Sequence, residues 1–216
     1  LGGQGAPLVP VGEEYLFSEY DTFINLGGFA NVTRKIKNNL IAYDICPINI
    51  VLNHLSRKLK LKYDDRGYIA STGNLNEDLY SHLQRLNYFK QDPPKSLGVE
   101  WVSDQIHPII NKFQNLSVKD LMNTFSNHFA FQIAKNIGDK GKVLITGGGA
   151  YNDYLIERIK NLTNSKITIP DPKIIDYKEA LIFSFLGLLR VNRINNCYSS
   201  VTGAKEDHCS GKIYTP

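Results

Sequence analysis

The sequence is poor in cysteine, and the three it has, Cys46, Cys197 and Cys209, are odd in number and lack metal-ligand spacing. That argues against a disulfide framework or a paired-cysteine zinc site and fits a reducing cytoplasm. Nowhere does an uninterrupted apolar run approach the ~18 residues needed to span a bilayer, and no charged-then-apolar leader opens the chain. A membrane or secreted protein is therefore not expected. Charge of one sign is not in large excess either: 25 Lys and Arg against 21 Asp and Glu give a formal +4, with the basic residues scattered. A dedicated nucleic-acid partner is not expected from such a distribution. His54, His82, His107, His128 and His208 are dispersed, without a His-x-x-x-His or His-Glu-x-x-His pair, so they promise no metal site. Internal repeats, coiled-coil heptads and low-complexity tracts are also missing. Residue 1 is Leu rather than Met and runs straight into a glycine-rich motif, which leads to the expectation of a piece of a longer polypeptide.

What is present is a globular composition, 42% hydrophobic and 21% charged over 216 residues. It suits one large domain or two small ones with a substantial core. After a loop at Leu1–Gly12, Thr22–Leu26 and Phe29–Lys35 read as strands joined by Gly27-Gly28, a pair that supplies the positive φ of a tight primed turn. A second turn at Asn38-Asn39 and a third strand at Leu40–Ile45 complete an antiparallel meander. Ile48, Val51, Leu52, Leu55 and Leu59 then have helical spacing, with Pro47 at the start where its missing N–H costs nothing. The region 60–116 is less regular and reads as an insertion, with an amphipathic stretch at Asn76–Leu86 and a stiff Asp92-Pro93-Pro94-Lys95 element. Ser117 and Asp120 cap a long helix with an apolar face of Leu121, Phe125, Phe129 and Ile133, ending near Gly138; Phe131 is expected to pack with its neighbours. Strand Lys142–Thr146, a helix with Leu155, Ile159 and Leu162 on its apolar face, strand Lys166–Ile169 and an all-round apolar, buried helix Lys178–Asn192 follow. A meander followed by strands alternating with helices predicts a ribonuclease H-like α/β domain, a mixed sheet flanked by helices.

Three glycine-bearing segments carry the candidate chemistry. In Asn25-Leu26-Gly27-Gly28-Phe29-Ala30-Asn31-Val32-Thr33, bare backbone N–H groups flanked by the uncharged Asn25, Asn31 and Thr33 suit phosphate oxygens, although any hairpin tolerates Gly-Gly. Gly147-Gly148-Gly149-Ala150 follows a strand, the place where open α/β sheets take ligands; a flat base can lie on such a backbone, and close helix packing explains it equally well. Gly2-Gly3-Gln4-Gly5-Ala6-Pro7 joins backbone freedom to one amide that donates and accepts, which suits a sugar as well as a loose terminus. Glu179, read in the first turn of its helix, serves either the helix dipole or sugar hydroxyls. Cys46 carries no nucleophile signature, and Arg57-Lys58-Leu59-Lys60-Leu61-Lys62 reads as a solvated helix end.

Taken in order, Gly2–Pro10, Asn25–Thr33, Pro93-Pro94-Lys95-Ser96 with Glu100-Trp101, Gly147–Ala150 with Asn152, Lys178-Glu179-Ala180 and Ser200–Ala204 resemble the anhydro-N-acetylmuramic acid kinase family. The resemblance spans nearly the whole chain and implies one lobe of a two-lobed fold of the sugar kinase, Hsp70 and actin superfamily. It implies an enzyme using ATP and Mg2+ to phosphorylate 1,6-anhydro-N-acetylmuramic acid as water opens the anhydro ring, in cell-wall recycling in the cytoplasm. Separately, the apolar helices at Ser117–Ile137 and Lys178–Asn192 suit a homodimer interface, and ordinary core burial explains them as well. By the resemblance, Asn25, Gly27, Gly28, Asn31 and Asp44 would serve the ATP phosphates, Gly147, Gly148, Gly149 and Ala150 the nucleoside, and Gln4, Gly5 and Glu179 the sugar. No protein-held metal ligand is assigned. The family's catalytic aspartate and first phosphate loop lie upstream of Gly2-Gly3-Gln4-Gly5, so residues 1–216 are expected to form the C-terminal lobe, inactive alone. One departure stands out: the family reads Asp-Thr-Gly-Pro-Gly-Asn where this chain has Asp44-Ile45-Cys46-Pro47-Ile48-Asn49. Side chains at Cys46 and Ile48 are expected to obstruct a phosphate or bend the loop, leaving a non-catalytic sugar- or nucleotide-binding homologue as the alternative.

Overall fold

The computed structural model describes residues 1–36 and 39–214. A five-stranded mixed sheet of order β3-β2-β1-β4-β5 forms its centre. β1 (Thr22–Leu26), β2 (Phe29–Ile36) and β3 (Asn39–Pro47) make the antiparallel meander, while β4 (Lys142–Thr146) and β5 (Lys166–Thr168) continue parallel to β1. The mixed α/β architecture is the one expected. Of the turn placed at Asn38-Asn39, Asn38 lies outside the described residues.

Several local expectations need correction. The chain leaves its opening loop earlier than expected, because α1 (Val9–Leu16) takes Pro10 into its first turn. Gly27 and Gly28 do not have positive φ. Leu26 pairs with Ala30 across the turn, so the loop is wider than a two-residue primed turn. Pro47 ends β3 instead of opening α2 (Asn49–Arg57), and Leu59 lies exposed past that helix. Ile48 at the N-cap has no capping side chain; the Gly28 carbonyl accepts from Ile48 N at 2.8 Å and Ile50 N at 3.2 Å instead. A hairpin carbonyl therefore satisfies the helix start that the sequence left uncapped.

The region 60–116 is built of short helices: α3 (Tyr68–Ser71), α4 (Glu77–Gln84), α5 (Val99–Trp101) and α6 (His107–Lys112), the last two joined by a π-helical turn. Leu79, Leu83, Val102, Ile106 and Ile110 are buried in the main core together with α7 (Val118–Ile137). Ser117 caps α7 as its spacing predicts, accepting from Asp120 N. Phe125 and Phe129 are buried, whereas Phe131 points outward at 38% exposure, opposite to expectation. The histidines, dispersed in sequence, meet once in space, where His54 and His107 stack with ring centroids 4.8 Å apart.

α8 (Asp153–Lys160) buries Leu155 and Ile159, but Leu162 falls beyond its end and is exposed. α9 (Pro172–Val191) begins at Pro172 rather than Lys178, with Asp171 accepting from Lys173 N as its cap. Its burial also differs from expectation. Ile182, Leu186 and Leu189 pack with Val11 of α1 in a small second core, while Tyr177, Leu181, Phe183, Leu188 and Val191 are exposed. Its apolar residues thus form two faces, of which one is covered among the described residues. α10 (Ser199–Thr202) closes the described chain near the opening loop, where Gln4 N donates to Thr202 O.

Candidate functional site

Because β1 and β4 run parallel with Asn25 beside Thr146, the loops that leave them emerge at the same edge of the sheet. This is the edge at which α/β sheets bind ligands. The two loops are packed on each other so closely that glycine is required. Gly147 has φ +82°, and a Cβ there would stand 2.5 Å from Asn25 Oδ1 and 2.9 Å from the Leu26 backbone. A Cβ on Gly149 would stand 2.7 Å from Leu26 Cβ. Asn49 Nδ2 adds a bond to Leu26 O at 3.1 Å, so the Asp44–Asn49 segment is drawn into the same junction.

Two clefts open from this junction. The first, about 770 Å³, has Gly148, Gly149 and Ala150 on its floor. Gly148 is exposed, with nothing within 4 Å of where a Cβ would stand, so its backbone is open to a flat ligand. Asn49 and Asn53 of α2, Tyr63 to Arg66, Tyr151 and Asp176 make the walls. Asp64 is held in place by accepting from Ile69 N and Ala70 N, and burial raises its pKa against those bonds. Tyr151 donates to Asp176 Oδ1 at 2.8 Å, and that bond raises the phenol's pKa. Arg66, with φ +56°, reaches across to Asp153 Oδ2 at 3.0 Å.

The second cleft, about 420 Å³, brings together Gln4, Asn25, Asn31, Asp44 and Glu179, residues that reach it from the opening loop, the hairpin, β3 and α9. Asp44 sits where β3 skips a register: Ala30 pairs with Cys46 but Asn31 pairs with Asp44. Such a bulge re-aims the side chain beside it. Asp44 Oδ2 accepts from Leu97 N at 2.8 Å, its carbonyl accepts from Tyr88 Oη at 2.6 Å, and its N–H donates to Lys95 O at 3.3 Å. Burial raises the pKa of Asp44, and the Leu97 bond opposes that rise. These bonds bring the Pro94-Lys95-Ser96 arm to the cleft wall. Lys95 Nζ is itself occupied by Gln91 O at 2.9 Å and lies 4.8 Å from the Tyr88 ring centroid; burial lowers its pKa.

The sequence-predicted residues therefore divide between sites. Gly148, Gly149 and Ala150 line the first cleft; Gln4, Asn25, Asn31, Asp44 and Glu179 line the second. Gly27 and Gly28 line neither, serving as the turn and as the carbonyl cap of α2; Gly147 is the packed junction. Gly5 faces a small cavity with Leu1 and Cys197. Glu179 lies well past the first turn of α9, so dipole complementation does not explain it. Cys46 and Ile48 are fully buried and project into the core. Their side chains therefore do not obstruct the cleft.

Sequence reasoning missed Glu13 and Lys178 as site residues. Both line the second cleft, and Lys178 Nζ donates to Glu13 Oε1 at 2.6 Å with the two side chains only 3% and 4% exposed. They are 165 residues apart, so no local pattern pairs them. Arg66 and Tyr63 were missed likewise; they reach the first cleft from the region read as an insertion.

The mixed five-stranded sheet with its flanking helices is the fold expected of the sugar kinase, Hsp70 and actin class. A solved activator of the 2-hydroxyisocaproyl-CoA dehydratase from Clostridium difficile, with bound ADPNP, shares the fold: TM-score 0.51 and 18% identity, over 86% of this chain and 67% of that one. The chain belongs to the anhydro-N-acetylmuramic acid kinase family, whose model matches residues 1–216. Its relatives include anhydro-N-acetylmuramic acid kinases of Bacillus cereus strain AH187, 31% identical over 100% of this chain and 62% of the relative. The enzyme of that name from Clostridioides difficile strain 630 is 34% identical, over 98% and 60%. The chain thus spans about three fifths of the length of these relatives.

No helix among the described residues is long and apolar enough to cross a membrane. Among the same residues, no group of three His, Cys, Asp or Glu side chains could hold a metal ion. Magnesium in nucleotide sites is held largely by phosphate oxygens and water with one or two carboxylates. The open Gly148 backbone leaves room for a flat ligand, and a metal accompanying a nucleotide would be held chiefly by its phosphates.

Proposed function

We propose that this chain forms the C-terminal lobe of an ATP-dependent kinase acting on 1,6-anhydro-N-acetylmuramic acid in the cytoplasm. The observation that carries the reading is the meeting, in one cleft, of Gln4, Asn25, Asn31, Asp44 and Glu179 beside a glycine-floored cleft at the same sheet edge. Amides and carboxylates converging from distant segments suit the hydroxyls of a sugar, and the bare glycine backbone suits a nucleoside. In the reaction, water adds to the anomeric carbon as its bond to the ring-bridging 6-oxygen breaks. That oxygen takes the γ-phosphoryl group of ATP, giving N-acetylmuramate 6-phosphate and ADP. By the family pattern, the aspartate that takes the water's proton lies upstream of Gly2.

The residues of this chain contribute position. Gln4 and Glu179 hold the sugar's polar edge, the Gly148–Ala150 floor holds the base, and Asn25, touching the Gly147 loop and lining the other cleft, fixes their separation. Positioning and charge stabilisation supply most of the acceleration in phosphoryl transfer. The lobe alone is thus expected to bind with little turnover. The test incubates the polypeptide that carries this lobe together with the family's upstream aspartate and first phosphate loop with ATP, magnesium and the anhydro-sugar. Sugar phosphate in the products supports the reading; a folded protein that makes none defeats it.

Binding without catalysis is the second reading. It drew on the altered Asp44–Asn49 loop, but the burial of Cys46 and Ile48 leaves the cleft side of that loop open. Ligand binding by calorimetry without turnover in the longer polypeptide would favour it.

A further inference from the structure

We propose that the buried Glu13–Lys178 pair is a positioning device that sets how α9 presents Glu179 to the sugar cleft. This rests on the sugar reading of that cleft. The pair is not explained by stability. Glu13 Oε2 is buried without any hydrogen-bond partner, and only Oε1 meets the Lys178 ammonium. A buried ion pair with an unsatisfied acceptor repays its desolvation poorly, and apolar side chains of similar size would be as stable or more so. What the pair supplies is direction.

α9 is anchored at its start, where Ile175 is buried in the main core and Tyr151 donates to Asp176, but beyond Lys178 its buried apolar residues Ile182, Leu186 and Leu189 cluster with Val11 of α1 apart from that core, and its opposite face is exposed among the described residues. Apolar contacts alone permit helices to slide and roll. Two features next to each other prevent that. On α1, Gly12 lets Ile182 approach so closely that a Cβ would stand 2.5 Å from its Cγ2, and the neighbouring Glu13 grips Lys178, one helical turn before Ile182. A close crossing and a directional bond one turn apart fix both the height and the rotation of α9. Glu179 follows Lys178 directly, and α1 continues from the Gln4 loop. Glu179 is thereby registered through this one contact, and Gln4 through it together with its backbone bond to Thr202 O, while the Gly148–Ala150 cleft is anchored independently on β4 and Leu26.

The test measures, by titration calorimetry on the 216-residue chain, dissociation constants for 1,6-anhydro-N-acetylmuramic acid and for ADPNP with magnesium, along with thermal stability. Glu13→Gln should weaken sugar binding about tenfold while ADPNP affinity stays within about twofold. The apolar double variant Glu13→Leu/Lys178→Met should match or exceed the wild-type melting temperature and still bind sugar weakly, a split that a purely structural pair would not show. Sugar affinity recovering along with stability in the double variant, or unchanged in both variants, overturns the inference. A wild-type chain that binds ADPNP but no sugar overturns the sugar reading of the cleft, and this inference with it.

Discussion

Around the first cleft the working surface is backbone: Gly148 and Gly149 leave it bare, and side chains enter only from the walls. Around the second it is side chains, brought together from the opening loop, the hairpin, β3 and α9. The two meet at the contact of Gly147 with Asn25, where a residue that must lack a side chain presses against one that must have one. A backbone cleft depends on what cannot be added; a side-chain cleft depends on the long-range bonds that hold each group. The first should therefore fail through steric insertion and the second through loss of a remote tether.

The largest effect is expected at the junction. Gly147→Val forces a β-branched residue into φ +82° and its Cβ to within 2.5 Å of Asn25 Oδ1. Urea denaturation should show a loss of about 3 kcal/mol or more. Ligand binding in both clefts should fall together, since the Gly147 loop runs into the floor of the first and Asn25 lines the second; a variant that keeps either affinity intact would show the clefts to be independent.

The next effect separates them. His128 is buried on α7 against Phe89, 4.9 Å between ring centroids, and its Nδ1 has no partner. Burial lowers its pKa from 6.5 to about 3. The unfolded chain therefore binds the proton first, so stability is full above 6.5 and is lost as pH falls towards 3. One proton makes the slope about 1.4 kcal/mol per pH unit within that window. Phe89 meets Tyr88 edge-on, and the Tyr88 hydroxyl donates to the Asp44 carbonyl, so acid should loosen the arm at the second cleft before it touches the first. Denaturation series at stepped pH check this: His128→Leu should flatten the acid limb, and an unchanged limb would place the titrating group elsewhere.

How much of this was legible in the sequence follows the same division. The backbone-built parts were readable because glycine and strand patterns are local. β4 was expected at Lys142–Thr146 and lies there, and the Ser117 cap and Gly138 stop of α7 were readable for the same reason. Even there the chemistry exceeded the pattern: Gly27 and Gly28 form no primed turn, and the carbonyl of Gly28 caps α2. For the side-chain cleft the residues offered Gln4, Asn25, Asn31 and Glu179 as separate candidates with equally plain alternatives, and only the family resemblance drew them together and added Asp44. Glu13–Lys178 spans 165 residues and Asp44–Leu97 spans 53, separations that no helical or strand period encodes. The boundary of α9 was misplaced because Pro172 reads as a breaker, whereas Pro at a helix start is favourable. Its exposed face was misread because apolar periodicity does not say which face is covered.

A smaller effect tests the tether itself. Asp44 is an acid whose pKa burial raises above its ordinary 3.8, so the folded protein holds this proton to higher pH than the unfolded chain. Its ionisation therefore costs stability as pH rises just above that value, the reverse of a salt-bridged carboxylate. Asp44→Asn keeps an oxygen to accept from Leu97 N and removes the charge. It should leave the arm in place and abolish this part of the pH dependence, whereas Asp44→Ala removes the bond to Leu97 N, leaves the backbone bond to Lys95 O, and should loosen the arm at a cost of about 1–2 kcal/mol. Equal effects of the two substitutions would mean that the charge, not the hydrogen bond, holds Lys95–Leu97.

The smallest effect belongs to Arg66. Its ion pair with Asp153 is solvent-exposed, with side-chain exposures of 74% and 64%, and exposed pairs contribute little. Arg66→Ala should change unfolding free energy by no more than about 0.5 kcal/mol. The pair nevertheless spans the wall of the first cleft, joining the 60–116 region to the start of α8, and Asp64 and Asp65 stand beside it. Removing the cation leaves four carboxylates, Asp64, Asp65, Asp153 and Asp176, lining the cleft that a phosphate-bearing ligand would enter. Calorimetry should accordingly show ADPNP affinity reduced several-fold, with the loss shrinking as salt rises because the interaction is screened. Anhydro-sugar affinity should be untouched, since no bond of Arg66 leads to the second cleft. A salt-independent loss would identify the guanidinium as a packing surface for the base instead of a counter-charge, and would place side-chain recognition in the cleft that otherwise works through its backbone.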